Sequence, residues 1–305
     1  MKQHLSGKTA IVTGGAGGMG SKISRIFAEQ GAKVIVADTG ADVEGRMGKD
    51  PSKVQTIVDE INESGGEAIG CIGDVSDMDH AEGLVRTALE NWGKLDILVC
   101  AHGILRERMI FNMTEEEWDG SVKSHLKGCF APTKFASIHW RQERNGGRII
   151  YFTSVAGIRG AAGQPNYSAA QQGKVGLMLS CANALDRYGV TANCISPVAS
   201  TRMTDRGIGA WESKDEPAPS TTAEGTEKDP KNVVPAIVLL ASDLGANITG
   251  RVVGATGNQI SVWREPERDQ TLYSVEPYWD LDRLFQIMPS TLAAESLEPP
   301  EFVLP

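Results

Sequence analysis

Residues 13–20 read TGGAGGMG. They close the apolar run TAIVTG (9–14) and lead into SKISRIFAEQG (21–31), so a β-branched run, a glycine-rich turn and a helical stretch follow one another near the N-terminus. Gly14, Gly18 and Gly20 allow a tight turn and let backbone N–H groups approach a pyrophosphate, while the helix adds the positive end of its dipole. A glycine loop alone is a weak signal, but a strand before it and a helix after it supply the required context. The next β-branched run, KVIVAD (33–38), ends in Asp38, whose carboxylate can accept both hydroxyls of an adenosine ribose and would repel a 2′-phosphate. Ala16 and Gly17 offer such a phosphate no cation, and Arg46 and Lys49 reach it only if the long loop folds back. The reading is a dinucleotide site with NAD favoured over NADP.

The same alternation continues along the chain. EAIGCIGD (67–74), LDILVC (95–100), RIIYFT (148–153) and TANCIS (191–196) read as buried strands, and a seventh strand is expected near 250–256 after a helix at 230–242. Helical stretches lie near 18–30, 51–64, 77–91, 114–143 and 165–188. The βαβ order implies an α/β fold: a doubly wound parallel sheet of about seven strands, a Rossmann fold, with helices on both faces and right-handed crossovers. Residues 1–263 form the single domain in this reading, and 264–305 an acidic C-terminal extension too short to be another. Two segments break the rhythm: the polar loop 39–52, and 204–229, rich in Gly, Glu, Pro, Ser and Thr, which reads as a lid over the substrate.

Composition narrows the function classes. With 305 residues and 41% hydrophobic content the chain can bury a large core, and its net charge of -9 disfavours nucleic acid and anionic lipid as partners. No apolar signal core and no run of 18 apolar residues occurs, so a cytoplasmic protein without a membrane partner is expected. Cys71, Cys100, Cys129, Cys181 and Cys194 form no CxxC pair and read as buried reduced thiols, with no metal site.

With TGGAGGMG, Asp38, GDV (73–75), Ser154 and Tyr167 in order, Ser154 standing thirteen residues before Tyr167, residues 5–256 resemble the short-chain dehydrogenase/reductase family. The loop after Asp38 and PVASTRMT (197–204) are similar to the hydroxyacyl-CoA dehydrogenase domains of multifunctional β-oxidation enzymes. The resemblance implies NAD as cofactor, held by Gly14, Gly18, Met19, Gly20, Asp38, Asp74, Val75, Ala101, Gly103, Pro197, Val198 and Thr201. It implies hydride transfer between nicotinamide and a secondary alcohol or ketone, with Tyr167 moving the proton and Ser154 holding the substrate oxygen. It also implies a homo-oligomer, a dimer or tetramer, assembled through the long helices.

Several positions depart from the family pattern. The lysine expected four residues after the tyrosine is Gln171, and the relay asparagine is His125. The usual Asn-Asn-Ala-Gly reads Cys100-Ala101-His102-Gly103, and the usual Pro-Gly reads Pro197-Val198. A tyrosine titrates near pH ~10, and lowering it by about three units takes roughly 4 kcal/mol. A nearby ammonium can supply much of that, and neutral Gln171 cannot. His125 could carry protons in its place. Lys174, at i+7 on the tyrosine's helical face, is expected to face a neighbouring helix or solvent. His102 is read either as a cofactor or substrate contact or as a packed loop residue. Arg106, Arg108, Arg159, Arg202 and Arg206 fall where they could meet a carboxylate or the phosphates of an acyl-CoA. Two function classes stay open: an NAD-dependent dehydrogenase using Ser154, Tyr167, Gln171 and His125, and a catalytically impaired subunit that binds NAD and pairs with an active relative.

Overall fold

The computed structural model describes residues 3–46, 50–201, 203–204, 223–264 and 271–291. Lys49, Arg202, Arg206 and most of the expected lid, residues 205–222, lie outside the described residues. Eight strands form one sheet in the order β3-β2-β1-β4-β5-β6-β7-β8. They are β1 (Thr9–Thr13), β2 (Lys33–Asp38), β3 (Glu67–Ile72), β4 (Ile97–Cys100), β5 (Gly147–Phe152), β6 (Val190–Val198), β7 (Arg251–Thr256) and β8 (Gln259–Val262). The first seven pair in parallel.

The sequence pattern led to seven strands; the eighth, β8, runs antiparallel to β7. Its partners Thr256↔Gln259 leave a two-residue turn, Gly257–Asn258, with Gly257 at φ +49. Glycine at the first central position suits a tight hairpin. β8 is exposed along its length and lacks the buried apolar run by which the other strands are recognised.

Alternation along the strands builds two cores. Ala10, Val12, Val34, Val36, Ile97, Val99 and Ile150 point to one face, and Ile11, Ile35, Leu98, Ile149 and Tyr151 to the other. The flanking helices are α1 (Gly18–Glu29), α2 (Pro51–Glu63), α3 (Met78–Trp92), α4 (Glu115–Val122), α5 (Gly128–Glu143), α6 (Val155–Arg159), α7 (Pro165–Leu185) and α8 (Val234–Ala241). The expected single helix over 114–143 is instead α4, a π-helical turn at Lys123–Lys127, and α5. Such turns insert a residue into the helical repeat and often mark functional positions. The one-turn helix α6 was not expected; Ser154 caps it.

The strand order reverses between β1 and β4, which opens a crevice at the carboxyl ends of the strands. Thr13 sits opposite both Ala37 and Cys100, so Gly14, Asp38 and Ala101 emerge side by side at that edge.

Residues from Arg264 onward cluster as a second compact unit apart from Met1–Trp263. Within it α9 (Leu281–Ile287) is capped by Asp280, whose side chain accepts from the Arg283 N–H. Among the described residues, no helix is long and apolar enough to cross a membrane.

Candidate active site

A cleft of about 940 Å³ opens at the strand reversal. Gly14, Gly18, Met19, Gly20, Asp38, Asp74, Val75, Ala101, Gly103 and Thr201 line it, so ten of the twelve expected cofactor residues meet there. Pro197 and Val198, at the end of β6, do not line it.

The glycines are required by space. A Cβ on Gly20 would lie 1.9 Å from the Gly14 carbonyl oxygen, and one on Gly14 would lie 2.6 Å from His102 Cα. Gly14 also has φ +69, which disfavours any side chain. α1 starts at Gly18 with no side-chain cap, so its first N–H groups keep no partner within the helix and are open to an anion.

Asp38 accepts from the N–H groups of Ala16 (3.1 Å) and Gly40 (2.8 Å), which anchors its carboxylate between the glycine loop and the loop after β2. That long loop does fold back over the cleft. The Leu105 N–H donates to Val43 O at 2.8 Å, and Arg106 Nε donates to Glu44 O at 2.9 Å. Arg46 does not line the cleft; it pairs with Glu44 at 3.0 Å. Asp74 accepts from Ser76 Oγ at 2.7 Å and pairs with Lys123 at 3.0 Å. Burial pushes its carboxyl up, but the Ser76 hydrogen bonds and the Lys123 ammonium hold it below its usual value.

Ser154, Tyr167, Gln171 and His125 form a second group beyond the cleft wall. Gly103 joins the two: a Cβ there would lie 2.2 Å from the His125 ring. Ser154 Oγ accepts the Ala156 N–H at 3.2 Å, which leaves its own hydrogen free to donate. Asn166, fully buried, donates from Nδ2 to Arg106 O (2.9 Å) and Glu117 O (2.8 Å) and accepts the Tyr167 N–H at 2.7 Å. It pins the first turn of α7 and thereby Tyr167. Pro165 in that turn needs no N–H donor.

Among the described residues, no cation acts on the Tyr167 hydroxyl. Burial raises its pKa above the usual value for tyrosine; the Gln171 and Ser154 hydrogen bonds pull it down, and Glu107 pushes it up further. The His125 ring meets Tyr167 edge-on at 5.0 Å between centroids. The 2.6 Å contact of His125 Nε2 with Ile104 O requires the proton on Nε2, so Nδ1 is a bare acceptor. Burial, then the Lys174 charge, hold this imidazole well below its ordinary pKa. His125 is therefore a neutral group at pH 7, and a poor acceptor for a phenol proton.

Of the two placements expected for Lys174, a neighbouring helix or solvent, the structure excludes solvent: the residue is 1% exposed and turned into the interior. Its charge is felt by Cys129 on α5, Cys194 on β6 and Cys100 on β4. Burial lowers its pKa against the opposing pull of those thiols. His102 lines the cleft but is also packed: Nε2 donates to Ser124 O (3.1 Å), and Nδ1 accepts from Thr13 Oγ1 (2.5 Å). It ties the end of β1 to the π-helical turn that carries His125.

These residues fit a nicotinamide dinucleotide. The glycine cradle leaves no room for side chains, and a carboxylate stands at the end of β2. Two buried acceptors, His125 Nδ1 and Gln171 Oε1, have no hydrogen-bond partner, although their residues are only 2% and 3% exposed. Unpaired buried acceptors are rare and call for a donor such as a sugar hydroxyl. Sequence reasoning missed Asn166, whose signal was a polar residue beside the tyrosine, and could not see that Gly103 makes room for His125.

Comparison with known proteins identifies the family and the fold. A family model described as short chain dehydrogenase matches residues 8–211. The chain is 36% identical over 288 residues to hydroxyacyl-CoA dehydrogenase ChsB1 of Mycobacterium tuberculosis, covering 90% of this chain and 86% of that protein. It is 39% identical over 202 residues to peroxisomal multifunctional enzyme type 2 of Mus musculus, covering 66% of this chain but 27% of that much longer protein. A crystal structure of a short chain dehydrogenase from Mycobacterium avium superposes with a TM-score of 0.81 at 36% identity, covering 95% of this chain and 96% of that one. The family's members are oxidoreductases of the alcohol–ketone type that use nicotinamide cofactors. This chain belongs to the short-chain dehydrogenase/reductase family.

Proposed function

We propose that the chain is an NAD-dependent oxidoreductase that interconverts a secondary alcohol and a ketone. The observation that carries this reading is the hydrogen-bonded meeting of Ser154 and Tyr167 beside a cleft lined by the glycine loop and Asp38. When bound, the dinucleotide supplies or accepts the hydride at the substrate carbon. Gly14, Gly18, Met19, Gly20, Asp38, Asp74, Val75, Ala101, Gly103 and Thr201 would hold it, with Pro197 and Val198 at the nicotinamide end. Ser154 donates to the substrate oxygen, Tyr167 exchanges its proton with that oxygen, and Gln171 holds a ribose hydroxyl. His125 acts as a neutral hydrogen-bond acceptor. NAD is favoured over NADP because Asp38, Asp42 and Asp74 line the cleft.

For the substrate we infer a 3-hydroxyacyl or 3-oxoacyl thioester, on the strength of the relative named a hydroxyacyl-CoA dehydrogenase. The arginines give this little support. Arg106 bonds to Glu44 O and Glu116, Arg108 pairs with Glu117 at 3.0 Å, and Arg159 stacks on the Trp263 ring. The test is NADH formation from NAD+ by the purified homo-oligomer. It uses 3-hydroxybutyryl-CoA beside the same acyl group on N-acetylcysteamine. Turnover of both with equal KM would remove CoA recognition, and turnover of neither would remove the dehydrogenase reading.

A second reading is favoured by one observation, the lack among the described residues of a cation acting on Tyr167. It makes the chain a catalytically impaired, NAD-binding subunit paired with an active relative. Steady turnover by the homo-oligomer alone would exclude it.

A further inference from the structure

Arg106 stands in the loop after β4, and its side chain is 9% exposed although the residue lines an open cleft. A buried guanidinium has to place its N–H donors, and this one places them on two different segments. Nε donates to Glu44 O, in the loop after β2, at 2.9 Å, and Nη1 donates to Glu116 O, on α4, at 3.0 Å. The Glu116 carboxylate, 3.5 Å from the same nitrogen, is 82% exposed, so solvent screens that ion pair and the two carbonyls carry the contact. Gly120 leaves the space: a Cβ there would lie 2.4 Å from Nη1. α4 gives up helix propensity for that notch, since glycine inside a helix is less favourable than alanine.

The loop after β2 has no helix or strand between Thr39 and Arg46. Such a segment keeps one shape only where other parts of the fold tie it down. Ala41, Asp42 and Gly45 line the cleft with Asp38, Asp74 and Val75, so the segment walls the half in which adenosine would lie. Three contacts with the loop after β4 hold it. Arg106 Nε is on Glu44 O, and the Leu105 N–H is on Val43 O at 2.8 Å. Gly45, at φ +69, abuts Ile104, where a Cβ would lie 2.9 Å from Cγ2. Of these three, the guanidinium is the one that reaches on to a helix.

The backbone of Arg106 serves the other end of the site. Its carbonyl accepts from Asn166 Nδ2 at 2.9 Å, and Asn166 pins the first turn of α7 and so Tyr167. That carbonyl survives a substitution at position 106, while the guanidinium does not.

We propose that Arg106 is a positioning residue for the dinucleotide: its guanidinium clasps residues 43–45 to α4 and holds them as a wall of the adenosine half of the cleft. In this role it touches neither the reacting atoms nor an acyl-CoA phosphate. The proposal rests on the oxidoreductase reading above and adds a residue that sets cofactor affinity without handling the proton. Without the guanidinium, residues 40–46 become ordered only when the nucleotide binds, and affinity falls by that ordering cost.

Hydrogen exchange and calorimetry on the full-length protein, Arg106→Gln, Arg106→Lys and Gly120→Ala test this, with circular dichroism to check each fold. In Arg106→Gln, amides of residues 40–46 should exchange about tenfold faster with no nucleotide present, while the strands keep their rates. AMP and NAD+ should both bind about tenfold more weakly. In NADH formation the loss should appear in the KM for NAD+ and much less in kcat. Arg106→Lys keeps the charge without the fork and should behave as Arg106→Gln does. Gly120→Ala fills the notch and evicts the guanidinium. It should reproduce the binding loss, and the double variant should lose no more than either single one.

Exchange in residues 40–46 that stays at the wild-type rate overturns the proposal. So does faster exchange spread evenly over the sheet, full recovery in Arg106→Lys, or additive losses in the double variant. Wild-type protein that binds neither AMP nor NAD+ would overturn the dinucleotide reading and the proposal with it. Wild-type binding that all three single variants share undiminished would overturn the proposal alone.

Discussion

The group at Gly14, Gly18, Gly20 and Asp38 and the group at Ser154, Tyr167, Gln171 and His125 stand at the same edge of one sheet, yet they are built differently. The first is backbone geometry: turns without side chains, a bare helix start, and one carboxylate anchored by two N–H groups. The second is side-chain chemistry, with His125 and Gln171 buried behind the half-buried Ser154 and Tyr167, acceptors left unpaired and the buried lysine turned elsewhere. Backbone cradles tolerate almost no change because each position is fixed by contact distances. A proton-handling group can be rewired one side chain at a time, at the expense of rate and pH optimum. The contrast explains how the glycine loop and Asp38 keep the family pattern while the tyrosine's partners differ from it.

The sharpest way to break the comparison is at the cradle. Gly20→Val places a side chain where even a Cβ would lie 1.9 Å from Gly14 O, so calorimetry should find no NAD+ binding. Measurable binding would mean the dinucleotide lies elsewhere.

Tyr167→Phe should leave NAD+ affinity within a few-fold and reduce the rate by about 10²–10⁴, the usual contribution of one positioned acid. A smaller loss in single-turnover assays would transfer the proton role to another group.

Asp38→Asn should weaken NAD+ by about tenfold to a hundredfold through lost charge-assisted hydrogen bonds, and narrow the gap to NADP+. An unchanged NAD+/NADP+ ratio in fluorescence titration would detach the carboxylate from the ribose.

The smallest effect concerns Lys174. Its pKa is lowered in the folded state, so the unfolded chain holds that proton more tightly and the buried ammonium subtracts stability at neutral pH. That penalty is complete below the folded pKa and vanishes as pH rises past the ordinary lysine value of 10.5. Lys174→Met should therefore raise Tm by about 3 °C or more near pH 7, and the gain should shrink toward pH ~10. A constant or negative difference across that range would show that the thiols around Lys174 repay its burial.

Local pattern carried much of this protein's architecture. β-branched apolar runs located seven strands, because a strand buried on both faces has to be apolar throughout. The glycine loop and Asp38 were legible because their constraints act within a few residues of chain. β8 was not, since an exposed edge strand has no burial signal, and neither was the π-helical turn, whose extra residue leaves the helical composition unchanged.

The order of residues thus settled the doubly wound sheet, the glycine loop between β1 and α1, and the presence of a tyrosine–serine pair. Folding alone decided where Lys174 points, which nitrogen of His125 keeps its proton, and that Asn166 fixes the start of α7. Those facts depend on desolvation and on contacts between segments up to 60 residues apart, as between Asn166 and Arg106. Burial shifts a charge by energies that no spacing of letters encodes, so the site could be located in the sequence but its electrostatics could not.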